Sequence, residues 1–210
     1  MVLKNVMISP PFPKEHFVPS AISRHLDFLY QWMKNPRQTA SVVPSSAFLA
    51  EAMVRAVREH TPAPDPSVLE LGPGNGAITK VLLKHFDPSK VLAMDLNQNF
   101  VKELQIRFPD LSVISGDAQN LKPLMHENNF HPSVIVSSLG FLAMPQEVSR
   151  NIVRSCCAVL PKNGILVQYT YGKSSPLSEG VLRENGLECL HFGRVLRNIP
   201  PASVFVYKKH

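Results

Sequence analysis

Three glycines at alternate positions, Gly72, Gly74 and Gly76, follow the apolar run Val68-Leu69-Glu70-Leu71, whose acid stands two residues before the first of them. Glycines at this spacing suit backbone that turns sharply, with positive φ open to it, and lies against a ligand with no Cβ in the way. Downstream, Ile78, Val81, Leu82, Leu83 and Phe86 form an apolar-periodic stretch. The segment therefore reads as buried strand, tight turn and helix, the nucleotide-cradling corner of a doubly wound sheet. Gly72-x-Gly74-x-x-Ala77 also satisfies a relaxed dinucleotide fingerprint, and on that spacing alone the ligand stays open. The carboxylate of Glu70 helps to choose: beside a pyrophosphate it would repel, whereas an ammonium group would be attracted.

Two further acids follow strand-like runs. Val91-Leu92-Ala93-Met94 ends at Asp95, 19 residues after Gly76, close to the roughly 20-residue offset of a carboxylate that binds ribose hydroxyls. Residues 111–114 read as a third strand, and Ser115-Gly116-Asp117-Ala118 follows, placing a carboxylate where an adenine amino group can be held. A lone Asp after a strand is equally a helix N-cap. With Leu96 and Ala118 beside the two acids, Pro73 in the turn and Ser137 at the exit of a fourth strand over 133–138, the set resembles the motifs of class I S-adenosylmethionine (SAM) methyltransferases. That resemblance implies SAM as cofactor, its zwitterionic methionine end near Glu70.

The elements that must position these groups follow in order. Ser45 or Ser46 caps a helix to about residue 58 with Phe48, Leu49, Met53 and Val57 inward, and the Pro-rich 61–66 is a linker. After the fourth strand come a helix over 146–160, a fifth strand over 165–171, a short helix near 177–185, and an antiparallel pair over 187–194 and 203–208. The fold class is α/β, a Rossmann-like seven-stranded, mostly parallel sheet of expected order 3-2-1-4-5-7-6 with helices on both faces. Residues 67–210 form the catalytic domain. Residues 1–20, with Pro10, Pro11, Pro13 and Pro19, read as a mobile arm, and 21–66 as a helical lid or membrane-docking segment. Over 21–34, Ile22, Leu26, Leu29 and Met33 share one stripe bordered by Tyr30 and Trp32, the pattern of an interfacial amphipathic helix or of a lid packed on the core.

The formal net charge of +6 favours an anionic partner, nucleic acid or acidic membrane surface. No apolar run reaches 18 residues and no signal-peptide centre is present, so the expected location is cytoplasmic, with peripheral membrane association. Cys156 and Cys157 are neighbours on a helix and suggest buried thiols, with neither disulfide nor metal site.

The acceptor side carries an informative negative. Amino-methyltransferases acting on adenine, cytosine or amides place an (N/D/S)-P-P-(Y/F) motif after the fourth strand; here Ser137-Ser138-Leu139-Gly140-Phe141 stands there instead.

Over residues 28–208 the chain resembles the bacterial phospholipid N-methyltransferases of the PmtA type. The likeness lies in Phe28-Leu29, Trp32 and Asn35-Pro36-Arg37-Gln38-Thr39, Val43-Pro44-Ser45-Ser46, the glycine motif, Val167-Gln168-Tyr169-Thr170-Tyr171, and Asn198-Ile199-Pro200-Pro201-Ala202. It departs at Ala40, where glycine is common, at Asn75, where Thr is usual, and at Leu139-Gly140, where Leu-Pro is frequent. The resemblance implies methyl transfer to the amine of phosphatidylethanolamine, towards phosphatidylcholine, by a soluble monomer at a membrane. Within it, Tyr169 and Tyr171 are catalytic candidates, offering hydroxyl acceptors and π faces, or else plain strand residues with one facing in and one out. Pro44, Ser45, Ser46 and Phe141 are candidates for the substrate mouth, and Arg194 and Arg197 for the lipid phosphate. An RNA or small-molecule methyltransferase, and a SAM- or lipid-binding protein without turnover, remain the alternatives.

Overall fold

The structure is a computed structural model that describes residues 46–210. The expectations for 1–20, the 21–34 helix with Leu29, Tyr30, Trp32 and Met33, and the mouth residues Pro44 and Ser45 lie outside the described residues. Helix α1 (Ser46–His60) precedes β1 (Val68–Leu71), α2 (Ala77–His85), β2 (Val91–Asp95), α3 (Gln98–Arg107) and β3 (Ser112–Ser115). Then come α4 (Leu121–Glu127), β4 (Val134–Ser137), α5 (Gln146–Val159), β5 (Ile165–Thr170), α6 (Glu179–Glu184), β6 (Leu187–Val195) and β7 (Ala202–Lys209).

The seven strands hydrogen-bond in the order β3-β2-β1-β4-β5-β7-β6, as expected, with β7 antiparallel to both neighbours. Strands β1, β2 and β4 are near-continuous apolar runs because helices cover both faces of the sheet. Their side chains alternate between two cores. Val68, Val91, Val134, Val136 and Val167 face α1, α2 and α3, while Leu69, Leu71, Leu92, Ile135 and Leu166 face α4, α5 and α6. Helix α1 packs on α2 and across β5, β6 and β7, burying Leu49, Ala50, Met53, Val54 and Val57. Phe48 departs from the inward expectation: it is 47% exposed, and the Arg197 guanidinium lies 5.3 Å from its ring centre. Its position one residue off the α1 stripe turns it outward.

Cys156 and Cys157 are buried free thiols, as expected, and burial raises the pKa of both. Among the described residues no helix is long and apolar enough to cross a membrane.

One cation closes the C-terminal end of α5. Lys209 Nζ donates to the carbonyl oxygens of Cys157 and Leu160, each at 2.7 Å, satisfying acceptors that a helix end leaves open. Replacing it by an apolar chain, Lys209→Met, is expected to lower stability by about 1–3 kcal/mol, read as a lower urea midpoint with an unchanged slope; an unchanged midpoint would remove this role.

Candidate active site

The glycine turn joins β1 to α2, and Gly72, Gly74 and Gly76 all have positive φ (68°, 52° and 74°). They do different work. A Cβ on Gly72 would meet Leu139 Cδ2 at 2.8 Å, and one on Gly76 would meet Leu104 Cδ2 at 2.6 Å, so these two let chain segments pack together. A Cβ on Gly74 would meet nothing within 4 Å. Open space over Gly74 is where a ligand can lie against backbone.

Glu70 is fully buried between the turn and α2. Its Oε2 accepts a 2.7 Å hydrogen bond from the Thr79 hydroxyl, while Oε1 finds no partner among the described residues. Burial pushes the carboxyl up to about 7 against the hydrogen bonds from Thr79 that lower it, and the nearby Asp95 charge adds to the rise. Asp95, at the end of β2, is held by two backbone donors: Gly74 N–H to Oδ2 at 3.1 Å and Asn97 N–H to Oδ1 at 2.8 Å. The carboxylate is thereby fixed at the mouth of the turn. Beside it Leu96 is 72% exposed, a bare apolar side chain at the mouth of the turn.

Asp117 takes the N-cap role that its sequence left open. Its Oδ1 accepts from the Gln119 N–H at 2.9 Å at the head of a short 3-10 helix that buries Ala118. Ser137 is buried at the end of β4, its hydroxyl accepting from the Leu139 N–H at 3.3 Å.

These placements fit SAM. Glu70 has an unsatisfied oxygen for an ammonium group, Gly74 leaves a cradle open, Asp95 presents a fixed carboxylate for hydroxyls, and Leu96 offers a bare apolar surface. All stand at the carboxyl ends of parallel strands, where such sheets bind ligands.

The acceptor candidates are more scattered. Tyr169 and Tyr171 lie on the same side of the sheet, facing α1, with ring centres 5.6 Å apart in an edge-to-face pair. The alternative that made them plain strand residues, one facing in and one out, does not hold, because residues two apart along extended chain share a face. Burial pushes both phenols above their ordinary value. They stay protonated at neutral pH and can serve as hydrogen-bonding groups and π faces, not as phenolate bases. Phe141 is buried in the opposite core, facing α5. Ser46 is the first residue of α1. Arg194 lies on β6 and Arg197 in the turn after it, both lining a cleft against α1 and away from the glycine turn.

Gln168 entered the sequence comparison only as part of a matching segment, with no role assigned. Buried on β5, it donates from Nε2 to the Leu139 carbonyl at 2.9 Å and to the Tyr169 carbonyl at 2.6 Å, and its Oε1 has no partner among the described residues. It ties the exit of β4 to the end of β5. The available signal was one amide inside the apolar run Ile165-Leu166-Val167-Gln168.

The buried Glu70 has a measurable signature. Without ligand, the unfolded chain releases this proton near the ordinary value of 4.5, whereas the folded protein holds it to about 7. The folded state thus binds more protons in that window, and stability falls as pH rises through it before levelling off. Glu70→Gln removes this slope. Relative to the variant, the wild type is expected to lose about 3 kcal/mol between pH 4.5 and 7, measured by urea unfolding along a pH series; parallel curves would contradict the buried-acid assignment.

Comparison with known proteins agrees with this geometry. The family described as "Methyltransferase domain" matches residues 68–164. An ornithine lipid N-methyltransferase of Singulisphaera acidiphila is 27% identical over 85% of this chain and 92% of its own length. Ribosomal RNA small subunit methyltransferase A of Mycoplasma capricolum is 35% identical, but over only 37% of this chain and 30% of that protein. Magnesium protoporphyrin IX methyltransferase from Synechocystis, solved with bound SAM, superposes with a TM-score of 0.62 at 13% identity, covering 78% of this chain and 79% of that one; at that identity the likeness speaks to fold. The strand order, the glycine cradle and the matched segment agree on a class I Rossmann-like methyltransferase fold, with SAM as its cofactor.

Proposed function

We propose that the protein is a phospholipid N-methyltransferase that methylates the amine of phosphatidylethanolamine, towards phosphatidylcholine, at an anionic membrane surface to which it binds peripherally as a monomer. One observation carries the reading: the likeness to a lipid N-methyltransferase runs along nearly the whole of both chains, whereas the likeness to the ribosomal RNA enzyme is confined to a short stretch. The sequence after β4 supports it, since Ser137-Ser138-Leu139-Gly140 lacks the Pro-Pro pair that grips a planar amino group.

Glu70, Gly74, Asp95 and Leu96 hold the cofactor, with the ionised Glu70 paired to its ammonium group and Asp95 to its ribose. Asp117 reaches the adenine edge through Oδ2, which is outside the cap but already accepts from Gln119 Nε2 at 3.2 Å. Bound SAM supplies an electrophilic sulfonium methyl. The chain's remaining task is to present a neutral amine in line with it. An alkyl amine resembles lysine, with a pKa of about 10.4, so the site must favour proton loss by desolvation and then align the nitrogen. The protonated Tyr169–Tyr171 pair borders the acceptor side and offers π faces to the increasingly methylated cation. Gln168 is a positioning residue: by holding the Leu139 carbonyl it sets the course of the backbone past β4.

The decisive experiment measures S-adenosylhomocysteine release by purified protein with labelled SAM. Its acceptors are phosphatidylethanolamine in anionic vesicles, the same vesicles without it, and total RNA. Turnover is expected only with phosphatidylethanolamine, and Asp95→Ala should weaken SAM binding by about 10- to 100-fold, the range for losing a charged hydrogen-bond partner. Turnover with RNA alone would overturn the lipid reading, and bound SAM without any product would make the chain a binding protein.

In the same assay Gln168→Leu is expected to lower kcat on the lipid by about ten- to a hundredfold, the cost of small misplacement, while SAM affinity stays within roughly twofold. A parallel loss of SAM affinity would reduce Gln168 to a packing role.

A further inference from the structure

A basic cleft of about 580 Å³ lies away from the glycine turn, between α1 and the end of the β6–β7 hairpin. Arg55 and Arg58 enter it from the helix, Arg194 and Arg197 from the hairpin. These pairs are some 140 residues apart in the chain, and only the packing of α1 on β6 and β7 unites them. The acids nearby are Glu51, which lines the cleft and sits 3.9 Å from Lys84 Nζ and 3.6 Å from His85 Nε2, and Glu59, 3.7 Å from Arg55 Nε. Among the described residues, four guanidiniums therefore outnumber the carboxylates. Two are oriented by aromatic rings: Arg55 lies 5.2 Å from the centre of Phe192 and Arg197 5.3 Å from that of Phe48.

Apolar side chains project beside these charges. In the hairpin turn Leu196 is 72% and Ile199 76% exposed, with Phe48 half-exposed next to them. Thr170 at the carboxyl end of β5 pairs with Ser203, and Val195 with Ala202, so residues 196–201 turn at the same edge of the sheet as the glycine cradle.

We propose that this face docks on an anionic lipid bilayer, the four arginines taking lipid phosphates while Leu196 and Ile199 enter the boundary of the acyl layer. The inference deepens the lipid reading, and rests on it for why docking belongs at the edge that holds the cofactor. Arginines alone would serve a nucleic acid equally well. Two bare aliphatic chains between them would gain nothing from a polyanion in water, whereas a bilayer buries them, and the rings a base could stack on already carry guanidiniums.

The test is sedimentation of the full chain with vesicles of phosphatidylcholine alone or mixed with phosphatidylglycerol, neither containing an amine that accepts methyl groups. Binding is expected on the mixed vesicles. At about fivefold per basic group near such a surface, Arg58→Gln with Arg194→Gln should weaken it by roughly 25-fold, and Leu196→Ser, on the exposed tip, by about tenfold, both with SAM affinity retained. Variants that sediment as the wild type does would overturn the proposal. So would RNA binding that falls in the arginine variant, with vesicle binding intact, or vesicle binding that inorganic phosphate abolishes while Leu196→Ser has no effect. Docking is read here without turnover. Normal docking with no methyl transfer to phosphatidylethanolamine would sink the proposed function alone, and turnover with variants that dock normally would sink this inference alone.

Discussion

A carboxyl group sits fully buried on an interior strand, β1, at Glu70, and much of the site follows from accommodating it. Taking an acid out of water costs several kcal/mol unless it is partnered or neutral, and the protein does part of each. Thr79 supplies hydrogen bonding to one oxygen, and burial raises the pKa to about 7. Thr79 can arrive only if α2 starts immediately beyond the glycines and runs back along β1, which requires left-handed backbone at Gly72, Gly74 and Gly76. The same turn sends the Gly74 N–H to Asp95. One buried acid, one turn and one neighbouring strand end thus lock together, leaving an unsatisfied oxygen and an open cradle for the cofactor.

The acceptor side is built on a looser principle. Gln168 joins β5 to the backbone beyond β4, and the tyrosines share the face covered by α1. Beyond them the sheet ends in an antiparallel hairpin, which returns the chain to the edge where the parallel strands finish. Because β7 runs opposite to β5, its start must lie beside the end of β5. A basic, partly apolar surface thereby comes to stand at the ligand edge.

Local pattern made a large part of this legible. The apolar run, the glycine spacing and the acids at 70, 95 and 117 belong to single strand–turn–helix units whose geometry is set within a few residues. The strand order followed because right-handed crossovers admit few topologies. Side-chain orientation was less secure. Phe48 was expected inward and turns outward, and the alternative that set Tyr169 and Tyr171 on opposite faces gives way to a pair sharing one. Gln168 was given no role because a buried amide announces itself only through the carbonyls it meets, and those of Leu139 and Tyr169 are placed by tertiary packing.

SAM entered through the family resemblance of a few residues, and the fold class and the glycine cradle were specified locally in the sequence itself, since glycine conformations and strand-end acids act over short chain distances. Tertiary structure alone decided which groups meet across long ones. It made Asp117 a cap, left Glu70 one oxygen short, tied Gln168 to the β4 exit and set Arg55 and Arg58 opposite Arg194 and Arg197. Such meetings depend on which faces of separate elements pack together, and that choice is made by burial summed over the whole core, not by any one segment.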